Sequence, residues 1–291
     1  MPQTSLFFNS KEARIAGTLF VPESPAASTS PALLVCHGAG DFKENFYELA
    51  EFLSANGIAS LCIDMHGHGE SEGDRFAVRM SEWTADISAA IDFLLSQPTI
   101  NPDDIHGFGF SSGGTALVEF AASAQDQKMK SLILLDATVR DLFNPTERLL
   151  MKTAVLFARI KKSITGTDLK LNLKALEFFS GKSKLAASQE LNKQIEQDER
   201  FNAALRSFPL PGGSEAFFTD AIKCVPRIRI PTLVLWGGED RIDPPETAQI
   251  LFDALTVSKQ LQVIPGNGHA GHLDMNKERV FQHTLTWLKK I

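Results

Sequence analysis

One tyrosine stands against 21 phenylalanines in this chain of 291 residues, and its three cysteines, Cys36, Cys62 and Cys224, lie far apart. An odd, dispersed set of thiols gives no disulfide framework and no C-x-x-C metal spacing, so all three are read as free. Cys36 and Cys62 fall inside apolar runs, where a free cysteine is a packing residue. Basic residues are in the minority: 29 Lys and Arg against 35 Asp and Glu leave a formal charge of −6. That excludes the broad basic surface that nucleic-acid binding requires. No stretch approaches the roughly 18 apolar residues of a membrane span, and MPQTSLFFNSKEAR lacks the basic and apolar regions of an export signal. A cytoplasmic protein is therefore expected. What remains is an ordinary globular composition, 43% hydrophobic and 22% charged, in a chain long enough for one α/β domain with or without an insertion.

Short runs rich in Val, Ile and Leu recur as ARIAGTLFV, PALLVCHG, IASLCID, IHGFGF, SLILLDA, PTLVLWG and KQLQVIPG, and each reads as a strand. Between most of them lie helical patterns. Phe46, Leu49, Ala50 and Leu53 share one face, as do Trp83, Ile87, Ala90, Ile91, Leu94 and Leu95. The alternation predicts right-handed crossovers and a mostly parallel sheet of about eight strands, with the first two runs, before Pro22, pairing antiparallel at one edge. The last segment repeats apolar residues at Val280, Phe281, Leu285, Leu288 and Ile291, and is expected to close one face of the sheet. The rhythm breaks over residues 139–225, where no strand is legible and polar helical segments carry Phe157, Phe178, Phe179, Phe201, Phe208, Phe217 and Phe218. A helical insertion over the core formed by 1–138 and 226–291 is expected, with its apolar face over the functional site.

Within GFGFSSGGTAL, the spacing Gly109-Phe110-Ser111-Ser112-Gly113 matches G-x-S-x-G, between a strand-like run and a helix-like one. Only Ser111 is in register. Small neighbours suit a serine on a sharp strand-to-helix turn, because the chains there approach closely. Such a motif arises readily by chance, and its partners decide the reading. A serine hydroxyl needs a base, a carboxylate to orient that base, and donors for the oxyanion. GGEDRIDPPE follows one late strand and PGNGHAGHLD follows the last, giving the chain order serine, acid, histidine.

HGAG at His37, DMHGHGES at Asp64, GFSSG at Gly109 and the late pair GGED and GNGH together resemble the α/β-hydrolase family over nearly the whole chain. Among its subgroups the sequence looks most like lid-bearing carboxylesterases and serine-aminopeptidase-like hydrolases, including feruloyl or cinnamoyl esterases and monoacylglycerol lipases. The resemblance implies an α/β-hydrolase fold, a helical lid, hydrolysis of a small-molecule ester through an acyl-enzyme, and no cofactor. It carries Ser111 as nucleophile, His269 as base through G-x-x-H, and Asp240 as orienting acid through G-x-x-D. It also implies the backbone N–H groups of Ala39 and Ser112 as oxyanion donors. Asp243 remains an alternative acid, although Asp-Pro-Pro-Glu also reads as a helix cap. His272 is the alternative base, or else a cap or lid contact. Phe178 and Phe217 are expected to line the acyl pocket.

His66 and His68, with Asp64 and Glu70 nearby, have a metal-like spacing, but the chain continues Gly-Glu-Ser rather than as a metal motif, so no metal is assigned. His106 and His283 are expected to be structural or surface residues. Arg159, Lys161 and Lys162 are read as solvated surface rather than a coenzyme A site. A thioesterase, a peptidase or amidase, or a non-catalytic ligand-binding protein of the same fold remain the competing readings.

Overall fold

The computed structural model describes residues 3–23, 29–123, 128–141, 143–173 and 184–291. Its centre is an eight-stranded sheet built from β1 (Gln3–Ser10), β2 (Ala13–Phe20), β3 (Ser30–Cys36), β4 (Ala59–Ile63), β5 (Ile100–Phe110), β6 (Ser131–Leu135), β9 (Thr232–Gly237) and β10 (Lys259–Ile264). The spatial order is β1-β2-β4-β3-β5-β6-β9-β10. β1 pairs antiparallel with β2, and β2 with β4, while every later pairing is parallel. The antiparallel edge follows from the short link between the first two strands, as expected. The parallel remainder needs crossovers, and the helices supply them.

Helices α1 (Tyr47–Ser54) and α8 (Lys277–Lys290) cover one face, burying Phe46, Leu49 and Leu53 with Val280, Leu285, Trp287 and Leu288. On the other face lie α2 (Met80–Leu95), α3 (Ser112–Ala122) and α7 (Glu246–Ala254), with Trp83, Ile87, Ile91, Leu117 and Leu251 in the core. The α2 stripe is as its spacing predicts except at Leu95, which is exposed. Placed one residue beyond Leu94, it is rotated about 100° off the buried face. Facing residues of β5 divide the two layers: Phe108 packs on the α1 side, whereas Gly107 and Gly109 lie under α3.

Between β6 and β9 the chain leaves the sheet. α4 (Pro145–Thr165) opens with a capping box, Asn144 accepting from the Thr146 and Glu147 N–H groups while Glu147 bonds back to Asn144. It ends at Gly166, whose φ of 69° suits a glycine C-cap. Only Val155 and Ala158 are buried, and Leu149, Leu150, Leu156, Phe157, Ile160 and Ile164 face outward. Two short strands, β7 (Leu169–Leu171) and β8 (Phe208–Leu210), pair antiparallel beneath it, contrary to the expectation that this segment holds no strand. At three residues each they are too short to show an alternating pattern. α5 (Gln189–Gln197) and α6 (Glu199–Arg206) follow one another, capped by Ser188 and Asp198. No helix among the described residues is long and apolar enough to cross a membrane.

Candidate active site

The strand order reverses around β3, with β4 on one side and β5 on the other, and the loops beyond the carboxyl ends of the strands meet above this point. Ser111 is the first residue after β5, with φ 50° and ψ −122°. A non-glycine residue in such a conformation costs about 1–3 kcal/mol and persists only where the surroundings impose it. Here they do so on both sides. A Cβ on Gly113 would lie 2.4 Å from the carbonyl oxygens of Cys36 and His37, and one on Gly109 would lie 2.7 Å from the Gly114 Cα. The glycines thus let α3 press against β3 and β5, and the turn between them lifts Ser111 toward the cavity.

Ser111 Oγ lies 3.0 Å from His269 Nε2, and His269 Nδ1 lies 2.8 Å from Asp240 Oδ2. The other carboxylate oxygen of Asp240 accepts the N–H groups of Ile242 (2.8 Å) and Asp243 (3.0 Å), which lock its orientation. His269 is buried. Burial alone would hold its imidazolium down, but the attraction of Asp240, Asp243 and Asp136 outweighs this and the imidazole is pushed up to about 9. Asp136, following β6, accepts from the Gly237 N–H (2.7 Å); burial first, and then the charge of Asp240, raise its carboxyl well above the usual range.

Asp243 is not a helix cap. No side chain caps α7, whose cap position is Pro245. The Asp243 carboxylate is instead drawn into the site, where Oδ2 accepts from Thr138 Oγ1 at 2.7 Å and stands 4.0 Å from His269 Nδ1. Thr138 in turn lies 3.3 Å from Ser111 Oγ. Burial pushes the Asp243 carboxyl up to about 6. Thr138 is a site residue that the sequence reading missed, since no local pattern marks it.

The expected oxyanion donors are also near. Ala39 lines the same cavity as Ser111, and Ser112 begins α3. Among the described residues neither N–H finds an acceptor. His37 holds the Ala39 turn in place: its Nδ1 lies 2.7 Å from the Gly38 carbonyl, and its Nε2 accepts the Met65 N–H at 3.0 Å.

The cavity encloses about 250 Å³ and is lined on the core side by Phe42, Phe110, His269, His272 and Leu273. Its roof is Leu191 and Ile195 of α5 with Phe201 of α6, not the outward apolar stripe of α4. Phe217 does not line it; its ring packs on Phe208, with centroids 5.0 Å apart. Phe178 lies outside the described residues. The i, i+4 pair Leu191 and Ile195 on an otherwise polar helix was the available signal for the roof.

The histidines of DMHGHGES diverge. His66 pairs with Asp86, while His68 is buried and turned to the His66 carbonyl. The carboxylates of Glu44, Asp64 and Glu70 surround the ammonium of buried Lys43, at 3.0, 2.8 and 2.6 Å. His106 bridges Ser131 and Asp104, a structural role as expected.

With this geometry in place, one family profile, described as serine aminopeptidase, S33, matches residues 27–276. The chain belongs to that family. Its members are α/β-hydrolases, and the eight-stranded sheet with helices on both faces is their fold. The chain is 26% identical over 288 residues to an uncharacterized 31.7 kDa Escherichia coli protein from a traX-finO intergenic region, covering 95% of this chain and 96% of that one. It is 25% identical over 282 residues to a monoglyceride lipase of Rattus norvegicus, covering 91% and 84%. A monoacylglycerol lipase structure from Paleococcus ferrophilus superposes with a TM-score of 0.70 at 22% identity, over 99% of this chain and 98% of that one, a likeness of fold.

Proposed function

We propose that this hydrolase cleaves carboxylic esters of short to medium or aromatic acyl groups through an acyl-enzyme on Ser111. The observation that carries the reading is the unbroken line from Asp240 through His269 to Ser111 Oγ at the floor of a largely apolar cavity. The resemblance to a monoglyceride lipase supports an ester as the substrate.

In the first step Ser111 Oγ attacks the ester carbonyl while His269 Nε2 takes its proton. Asp240 keeps Nδ1 protonated and the ring aligned, and stabilises the imidazolium that forms. The Ala39 and Ser112 amides donate to the oxyanion, with the N-terminus of α3 adding its positive end. Collapse of the intermediate breaks the bond to the alcohol, which leaves with the proton from His269. Water, deprotonated by the same imidazole, then attacks the acyl-enzyme and the acid departs. Residues 139–225 serve as the lid, with α5 and α6 closing the acyl chamber.

The test is labelling with a fluorophosphonate, mapped by peptide mass, beside rates on p-nitrophenyl esters, a thioester and an aminoacyl p-nitroanilide. An adduct on Ser111 with preferred turnover of the esters is the expected outcome. Preferred turnover of the anilide or thioester would replace the ester reading with one of its competitors, and no turnover with no adduct would reject catalysis by this serine.

A further inference from the structure

His272 is 2% exposed and lines the cavity, yet among the described residues neither of its ring nitrogens has a hydrogen-bond partner. Its ring is fixed by apolar faces, stacking on Phe46 at 4.1 Å and 9° and tilting against Phe110 at 4.6 Å. The ring is therefore held while both of its nitrogens stay buried and unbonded. Asp41, also buried and in the cavity wall, spends Oδ1 on the Phe42 N–H and the Asn45 amide. Its Oδ2 stands 3.8 Å from His272 Nε2, beyond hydrogen-bond reach. Asp198, another polar residue of the wall, spends Oδ1 on the Arg200 and Phe201 N–H groups and sets Oδ2 3.7 Å from the Arg200 guanidinium. Buried donors and acceptors are almost always satisfied, so an unbonded imidazole beside a carboxylate oxygen that takes no hydrogen bond, both residues lining one cavity, points to a ligand atom that meets both.

We propose that Asp41 and His272 form a hydroxyl-binding subsite, and that the substrate's acyl chain carries a hydroxyl group. An oxygen about 2.8 Å from each atom would stand at the apex of a triangle on the 3.8 Å base, which requires the buried ring edge and Asp41 to part on binding. A hydroxyl donates to the Asp41 carboxylate and accepts from the His272 N–H, so both are satisfied by one group. A carbonyl has nothing to give an ionised Asp41, and an ammonium meets both groups only in the tautomer whose Nε2 is bare, so the amino ester is the control that separates it from a hydroxyl. Burial, then the neighbouring His269, hold the His272 imidazole down at about 3, which keeps it neutral beside Asp41.

The identification of an acyl chain rests on the ester-cleaving reading, so the test has two arms. In the first, acid release from methyl esters is followed at constant pH for butanoate against 3-hydroxybutanoate, and for hexanoate against 3-hydroxy-, 6-hydroxy- and 3-aminohexanoate. At least one hydroxylated ester is expected to exceed its plain partner in kcat/KM by about 10-fold or more, because a site built to bond a hydroxyl rejects the analogue that lacks it. The ratio is expected to fall to near 1 in His272→Phe, which keeps the stack on Phe46, and to recover in part in His272→Gln, with melting curves showing that both variants fold. Equal rates within every pair, a ratio that survives His272→Phe, or a preference for the amine would overturn the proposal. In the second arm, Ser111→Ala protein labelled with ¹⁵N-histidine is titrated with methyl 3-hydroxyhexanoate and methyl hexanoate. Binding about 10-fold tighter for the hydroxy ester, with the His272 resonances shifted, supports the subsite even if the first arm shows no ester turnover. Equal affinities with unmoved His272 resonances overturn it, whatever the chemistry at Ser111.

Discussion

Replacing Asp243 with asparagine removes one negative charge from the neighbourhood of His269 while keeping an oxygen to accept the Thr138 hydroxyl. The charge stands 4.0 Å from His269 Nδ1. At that distance a pair is worth about 1 kcal/mol in water and about 4 kcal/mol at an effective dielectric of 20. Since one pH unit corresponds to about 1.36 kcal/mol, the imidazole is expected to titrate roughly 1–3 units lower in the variant. The sign follows from the role of the ring: a general base must be neutral to accept the serine proton, so kcat/KM is lost as pH falls through its pKa. In the wild-type protein the surrounding carboxylates push that pKa up to about 9, so the acid limb is expected above neutrality. Asp243→Asn should therefore move the acid limb of the profile downward and raise relative activity at pH 7–8. Below about pH 6, where Asp243 takes up its own proton, the advantage should shrink. The assay is kcat/KM for p-nitrophenyl butyrate from pH 5 to 10, with the imidazole followed in parallel by NMR. An unmoved or upward-moving midpoint in a folded variant would refute the electrostatic role given to Asp243.

Ser111→Ala should lower turnover by about 10⁴ to 10⁶, while Ser112→Ala, which keeps its backbone N–H, should retain most of it; steady-state rates on one ester decide between them. Asp240→Asn should cost about 10³-fold or more by disturbing the tautomer and alignment of His269, measured in the same assay after near-UV circular dichroism shows a native fold. Ile195→Ala or Phe201→Ala should shift acyl-chain preference, since each methylene that loses its apolar wall forfeits up to about 0.8 kcal/mol; a series from acetyl to octanoyl ester reads this out, and an unchanged profile rejects the roof. Gly113→Ala should cost about 3 kcal/mol and lower Tm by roughly 6–12 °C in a melting experiment, because the new Cβ meets two backbone oxygens that cannot step aside.

The parts of this molecule legible in its sequence are those encoded by periodicity or by short contiguous motifs. Trp83, Ile87 and Ile91 announce a buried helix face, and the runs around Leu33, Leu134 and Val234 announce buried strands, because the period of an element is written in adjacent residues. Ser111, Asp240 and His269 meet because each sits at a fixed place after its own strand. What was not legible depends on partners distant in the chain. Asp243 looks like a cap until Thr138, 105 residues earlier, claims its carboxylate. Phe217 has the right chemistry for a pocket, but its ring packs on Phe208 and does not line the cavity. The unbonded edge of His272 beside Asp41 becomes visible only when loops after β3 and β10 are brought together. The strands β7 and β8 escape notice because three residues cannot display a period.

Ser111 and His269 are 158 positions apart, and in the sheet β6 and β9 separate the strands that present them. The site therefore has no local precursor: its oxygen and its nitrogen approach within bonding distance only after four neighbouring strands have registered and the segment between β6 and β9 has been looped out. Closing such loops costs entropy before any contact repays it. During refolding, helical signal and compaction should return ahead of hydrolysis. A chain that has not yet set β10 into the sheet is therefore expected to hold no base beside Ser111, however much of its helix has already formed.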